Sequence, residues 1–287
     1  SSPVGGGCIN PSARLETDRG DRFFLKWNPA VPVEMFSAEA DGLRALGAPG
    51  AVRVPEVGGW GGAGTPADPG WLLLEFVPQG SPGPDYGRRL GDGLAHLHAA
   101  GASGPDSTSG AQPAFGWHQD NFIGSLPQKN DESPAWADFW RDRRIEPQLE
   151  MARDRGIFTG PEGRILDELL NRMDELLPEE DGERPALLHG DLWSGNYYPG
   201  PDGEPVLIDP AVFRGAGGVD LAMMELFGSF PRGFREAYGS VHPIPAEYDA
   251  FRRDLYQLYY LLVHVNLFGG GYVGGSLAAA RRVLGAV

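Results

Sequence analysis

An aspartate, an asparagine five residues on and a second aspartate thirteen beyond that stand around two short apolar runs. They are Asp191, Asn196 and Asp209, carried by Leu187-Leu188-His189-Gly190-Asp191-Leu192-Trp193-Ser194-Gly195-Asn196 and by Val206-Leu207-Ile208-Asp209-Pro210. Phosphoryl transfer asks for little covalent chemistry: the attacking hydroxyl must be aligned and the charge spread over the transferring group neutralised. A carboxylate beside the acceptor hydroxyl, with an amide oxygen and a second carboxylate on Mg²⁺, meets that need. Asp191, Asn196 and Asp209 are the candidates for those three places. His-Gly-Asp alone is a weak signal, because any loop before a short strand can contain it. The spacing to Asn196 and the apolar run closed by Asp209 make it a strong one. His189 reads as a turn-stabilising imidazole, since a base is barely required when bond breaking leads proton transfer.

A triphosphate also needs cations and backbone N–H groups. Lys26 and Lys129 are the only lysines in the chain, and Lys129 lies in a polar loop. Lys26 falls in a strand pattern and Glu39, thirteen residues later, in a helical one, which allows an ion pair that aims the ammonium at ATP phosphates. Gly5, Gly6 and Gly7, followed by Cys8-Ile9-Asn10, would let backbone N–H groups approach the nucleotide. Leu74-Glu75-Phe76-Val77 would offer the Glu75 carbonyl and the Val77 N–H to adenine. Cys8 is either an inert small residue or an exposed thiol open to oxidation or to a disulfide between two chains, the one route to a homodimer visible here.

The elements that must hold these groups fall into two parts. Residues 1–79 form a small sheet with one helix, and 80–287 a larger, mainly helical part with the catalytic loop and substrate site. In the first, Arg22-Phe23-Phe24-Leu25-Lys26-Trp27 is a strand after the turn signal Asp18-Arg19-Gly20-Asp21. Met35, Phe36, Leu43 and Leu46, interspersed with Glu39, Asp41 and Arg44 and stopped by Gly47, mark a helix. A Gly/Pro-rich loop spans Gly58 to Gly70. Trp71 to Val77 is a buried strand, and Pro78 to Pro84 is the hinge. Beyond it, helices are marked by Tyr86, Leu90, Leu94 and Leu97, by Trp136 to Ile145, by Ile165 to Leu177 and by Tyr248 to Val263. Gly101 to Gln112 is a Gly/Ser/Pro loop. Asn196-Tyr197-Tyr198 and Pro205 to Ile208 pair across the turn Gly200-Pro201-Asp202-Gly203.

The chain has 287 residues and a net charge of −15, which opposes nucleic-acid binding but not ATP, whose field a divalent metal and a few cations reverse locally. No run reaches the roughly 18 apolar residues of a membrane span, and the N-terminus has no signal-peptide pattern. One cysteine excludes an internal disulfide, and a cytoplasmic protein is expected. The chain opens on Ser1 rather than methionine, which predicts a trimmed or processed N-terminus.

These residues resemble the fructosamine/ketosamine-3-kinase family, in the aminoglycoside phosphotransferase and choline kinase-like branch of the protein kinase-like fold. The resemblance covers almost the whole chain. Besides the opening stretch it rests on Ala38-Glu39-Ala40, Phe115-Gly116-Trp117, Asp120 to Gly124, Trp136 with Phe139, Arg143-Arg144, Asp220-Leu221-Ala222-Met223, Leu226-Phe227-Gly228 and Tyr256 to Gly269. Trp193-Ser194 in the catalytic loop discriminates, since aminoglycoside and choline-type relatives more often carry His or Asn and then Pro, Ala or Glu. An indole there would stack on the sugar face of a substrate or pack the loop. Ile208-Asp209-Pro210 stands in place of Asp-Phe-Gly, keeping the carboxylate and removing the phenylalanine switch. Pro11-Ser12 departs from the acidic residue and alanine usual after the glycine loop.

The resemblance implies a two-lobed α+β fold and ATP- and Mg²⁺-dependent phosphorylation of a sugar hydroxyl on a ketosamine, a small molecule or a glycated protein, in a deglycation role. Asp191 would orient the hydroxyl, Asn196 and Asp209 hold metal, Lys26 contact phosphate, Glu39 position Lys26, and Trp193 meet the substrate. Fructosamine, ribulosamine and erythrulosamine adducts are equally open. An aminoglycoside, choline or homoserine-like alcohol, or a nucleotide-binding module without turnover, are the competing readings.

Overall fold

The computed structural model describes residues 2–3, 10–101, 114–179 and 182–286. Gly5, Gly6, Gly7 and Cys8, and the loop after Gly101, lie outside the described residues.

The smaller part is an antiparallel sheet of Ser2–Pro3 (β1), Ser12–Glu16 (β2), Arg22–Asn28 (β3), Val57–Gly61 (β4) and Gly70–Glu75 (β5), in the order β1-β2-β3-β5-β4. Between β3 and β4 runs helix α1, Val33–Gly47. The turn between β2 and β3 closes as its sequence predicts, with Thr17 and Asp21 paired by the Thr17 N–H to the Asp21 carbonyl at 2.9 Å. In α1 the recurring apolar residues Met35, Phe36 and Leu43 are buried against Leu72 and Leu74 of β5, forming a small core of their own. Each such fully buried side chain contributes about 1.5–3 kcal/mol. Arg44 lies in the last turn, where a cation suits the helix dipole.

The stretch Gly58 to Gly70, expected as loop, begins as β4. Its glycines have poor strand propensity, but pairing with β5 and cover from Trp71, whose ring lies within 3.1 Å of where a Gly61 Cβ would be, override that preference.

The larger part comprises Tyr86–Gly101 (α2), the hairpin Asn121–Ile123 (β6) and Leu126–Gln128 (β7), Trp136–Trp140 (α3), Glu146–Asp154 (α4), Arg164–Asn171 (α5) and Met173–Leu176 (α6). Then come Ala186–Leu188 (β8), Tyr197–Pro199 (β9), Pro205–Leu207 (β10), Phe213–Gly215 (β11), Gly218–Leu226 (α7), Phe234–Val241 (α8), Arg253–Phe268 (α9) and Val273–Leu284 (α10). A second, larger core runs through these helices and also takes in Leu46 and Val52. The result is the two-lobed α+β architecture of protein kinase-like enzymes.

Three helices differ from their sequence patterns, one of them because the run from Tyr248 opens with a π-helical turn, Tyr248–Arg252, ahead of α9. Between α3 and α4 the chain makes a π-helical turn, Arg141–Ile145, which packs the buried Arg144 guanidinium 3.9 Å from the Phe213 ring and 4.5 Å from that of Phe139. The run Ile165 to Leu177 breaks at Arg172, whose ψ of 12° is not helical, although Leu166, Leu169, Met173 and Leu176 are all buried as the pattern requires. Periodicity reports which face is buried and is blind to one residue that leaves the helix.

Candidate active site

The sheet and the helices meet where the chemistry-bearing residues were expected. β8 delivers His189-Gly190-Asp191, and the predicted hairpin of β9 and β10 pairs Tyr198 with Val206 and ends at Asp209. Gly190 has φ +81°, and a Cβ there would fall 2.0 Å from the Ala211 carbonyl oxygen, so only glycine fits before Asp191. Asp209 also adopts a positive φ, +56°, which aspartate tolerates better than most residues. The flanking contacts impose it: the Ile208 carbonyl accepts from the His189 ring and the Ala211 N–H donates to the His189 carbonyl at 2.9 Å.

Both nitrogens of the His189 ring are engaged. Nε2–H donates to the Ile208 carbonyl at 2.8 Å, and Nδ1 accepts the Asp191 N–H at 3.2 Å. The imidazole is fully buried, and burial holds its pKa below the ordinary value despite Asp220 nearby. It is a neutral scaffold, as its sequence context implied.

Across the cleft, the Lys26 Nζ donates to Glu39 at 2.6 Å and also to the Asp209 carboxylate. Burial alone would lower this ammonium, but Asp209 and Glu39 outweigh it and hold the pKa above the lysine value. Lys26 therefore stays charged, joining β3, α1 and the end of β10 at one point. Asn196 Nδ2 donates to the Asp191 carbonyl at 2.8 Å and to its carboxylate Oδ2 at 3.2 Å, which leaves the amide oxygen as the acceptor of that side chain. Burial, with the neighbouring Asp209 charge, pushes Asp191 up to about 7. Because this lies above the unfolded carboxyl value of about 4, the native protein holds the extra proton, and Asp191 costs stability increasingly as pH rises from about 4 to 7. Asp191→Asn is thus expected to raise the thermal midpoint at pH 8, with the gain shrinking towards pH 4; calorimetry across this range would contradict the account if the shift were independent of pH.

Oxygen donors from Asn196 and Asp209 fit Mg²⁺, which binds through one or two carboxylates together with substrate phosphates. Among the described residues no three His, Cys, Asp or Glu side chains form a group that could hold a metal ion by themselves. At the hinge, the Glu75 N–H donates to the Glu56 carbonyl at 2.8 Å and its side chain pairs with Arg53 at 2.6 Å. The Val77 carbonyl accepts from the Tyr198 hydroxyl at 3.0 Å, tying the hinge to β9. Trp193 is half-buried, and its ring lies against Gly195, where a Cβ would come within 2.3 Å of it.

A profile of the fructosamine kinase family matches residues 1–285. The chain belongs to the fructosamine kinase family. Its relatives include a candidate ketoamine kinase of Synechocystis, 43% identical over 94% of this chain and 85% of that protein. The chloroplastic protein-ribulosamine 3-kinase of Arabidopsis thaliana is 37% identical over 96% and 79%. A solved structure from Thermobifida fusca, described as a candidate fructosamine-3-kinase, superposes with a TM-score of 0.85 at 36% identity, covering 99% of this chain and 92% of that one. Membership of the fructosamine kinase family makes the protein a phosphotransferase that uses ATP and an alcohol acceptor.

Three further residues support the loop from beneath. Asp220 of α7, fully buried, accepts the His189 N–H at 2.8 Å and the Gly190 N–H at 2.9 Å, with His98 of α2 on the same carboxylate at 3.2 Å. Tyr260 of α9 donates its hydroxyl to the Gly190 carbonyl at 2.7 Å. A lone carboxylate inside the apolar run Val219-Asp220-Leu221-Ala222 was the available signal. Among the described residues no helix is long and apolar enough to cross a membrane.

Proposed function

We propose that this fructosamine kinase family member transfers the γ-phosphoryl group of ATP to a sugar hydroxyl of a ketosamine, a ribulosamine or fructosamine formed on a small amine or a protein lysine. The observation that carries the reading is the convergence of two groups, Lys26 with Glu39 and Asp209 and Asn196 with Asp191, joined where the Asn196 Nδ2 reaches the Asp209 carbonyl at 3.5 Å. The names of the ketoamine and ribulosamine kinase relatives support the acceptor class.

In this reading Asp191 accepts and aligns the acceptor hydroxyl, Lys26 binds ATP phosphate oxygens, and Glu39 holds Lys26 in place. Asn196 and Asp209 hold Mg²⁺, which would neutralise charge developing on the phosphates. Gly5, Gly6 and Gly7 cover the nucleotide, and the Glu75 carbonyl and Val77 N–H receive adenine. The boundary between the nucleotide lobe and the substrate lobe falls near residue 79. With Asp191 raised to about 7, its ionised, accepting form gains population as pH rises through neutrality.

Trp193 meets the sugar face. Trp193→Ala is expected to raise KM for the ketosamine about 10-fold with KM for ATP unchanged, the scale of one aromatic contact. A lower kcat and thermal midpoint with KM unmoved would assign Trp193 to loop packing against Gly195 alone. Side-by-side kinetics test the acceptor class: kcat/KM for ribulosyl-lysine or fructosyl-lysine should exceed that for an aminoglycoside, choline and homoserine by at least about 100-fold. Preference for one of those alcohols would overturn the ketosamine reading and leave the kinase.

A further inference from the structure

The Lys26–Glu39 pair of the smaller lobe meets Asp209 of the larger one, and a specific attachment holds α1 against that lobe. Two residues along the helix, Asp41 Oδ2 accepts the Trp117 indole N–H at 2.8 Å, with the exposed His118 ring 3.4 Å from the same oxygen. Trp117 is itself built in: it is 8% exposed, and its backbone N–H donates to the Asn130 carbonyl at 2.9 Å. The preceding Gly116 exchanges two backbone hydrogen bonds with Arg214 of β11, at 2.9 and 2.8 Å. The Arg214 guanidinium lies 5.0 Å from the Trp117 ring centroid.

The next helix residue touches the metal side of the site. A Cβ on Gly42 would fall 2.9 Å from Val212 Cγ2 and 3.2 Å from Pro210 Cγ, and Pro210 directly follows Asp209. So α1 lies flush against the segment leaving Asp209 and is hydrogen-bonded to a segment stitched onto the following strand. Contacts that fix a helix against its neighbour hold side chains in working geometry before the ligand arrives, which spares the ligand that ordering cost.

We propose that Asp41 and Trp117 are positioning residues for nucleotide binding: their hydrogen bond anchors α1 to the larger lobe and so holds Lys26 and Glu39 against Asp209. The position after Asp209, where the Asp-Phe-Gly pattern has a phenylalanine, is held by Pro210. The inference rests on the reading of Lys26 and Asp209 as phosphate and metal groups.

The test uses Trp117→Phe, Asp41→Ala and Asp41→Asn in the full chain, with MgATP as the probe. Trp117→Phe removes the donor and Asp41→Ala the acceptor. Each is expected to raise KM for MgATP about 10-fold, leave KM for the ketosamine within about two-fold, and speed amide hydrogen exchange across Val33–Gly47 in nucleotide-free protein. Asp41→Asn, whose amide oxygen still accepts, should stay within about two-fold of the parent in all three readouts, and the Trp117→Phe/Asp41→Ala double variant should be no worse than the worse single. Unchanged α1 exchange in both single variants, or an Asp41→Asn protein as impaired as Asp41→Ala, would overturn the anchor. If Trp117→Phe does not fold, Asp41→Ala, at a side chain 33% exposed, decides alone. Parent-like KM for MgATP in Lys26→Ala would instead sink the reading of the nucleotide site, with faster α1 exchange in Asp41→Ala still marking the anchor.

Discussion

Asp191→Asn should reduce turnover by at least about 100-fold, the low end for a positioned acid–base group, with nucleotide affinity nearly unchanged. The substitution preserves size, and the new amide oxygen can still accept from Asn196 Nδ2, which reaches the Asp191 carboxylate at 3.2 Å. What it removes is the negative charge facing the acceptor hydroxyl. The phosphate contact proposed for Lys26 lies on the other side of the cleft and is untouched. Single-turnover kinetics with saturating ATP, alongside ATP binding by calorimetry, separate the two steps. Near-parent turnover would show that Asp191 does not act on the hydroxyl, and a large loss of ATP affinity would place it in nucleotide binding.

Asp220→Ala is expected to destabilise the fold by about 3–5 kcal/mol, the scale for removing one member of a buried charged network. The carboxylate satisfies two backbone N–H groups at the start of the catalytic loop and sits on His98, all away from solvent. Truncation leaves those N–H groups without their acceptor, and each such buried group costs about 1–3 kcal/mol. Burial alone would raise the Asp220 pKa, but His98 and the Gly190 N–H outweigh it and hold it below the usual aspartate value. Its stabilisation is therefore present at neutral pH and above, and is lost as pH falls through the depressed folded-state value. Urea denaturation of parent and variant at pH 7 reads the effect. A loss below about 1 kcal/mol would mean that the loop finds other partners and that Asp220 is not its support.

The five residues proposed for catalysis could be singled out in the sequence because short, local patterns carry them. Asp191, Asn196 and Asp209 lie within one stretch whose hairpin the turn Gly200-Pro201-Asp202-Gly203 announces, and Lys26 and Glu39 sit on a strand and a helix with clear apolar patterning. The supports beneath them were not legible. Asp220 and His98 are 122 positions apart, and Asp41 and Trp117 are 76 apart; each pair meets only through the packing of whole helices and loops. Nothing in the neighbourhood of either residue specifies its partner. β4 escaped for a related reason, since glycine-rich sequence takes its strand form from the edge it pairs with.

The central claim is phosphoryl transfer from ATP to a sugar hydroxyl on an amine adduct, run by Asp191 with Asn196, Asp209 and Lys26. It is tested most directly by incubating the purified protein with MgATP and ribulosyl-lysine or fructosyl-lysine and following both reactants by NMR. One ADP should form per ketosamine phosphate, with the new phosphoester on a sugar hydroxyl, and both products should be lost in Asp191→Asn. ATP binding without turnover of any sugar–amine adduct would contradict that claim.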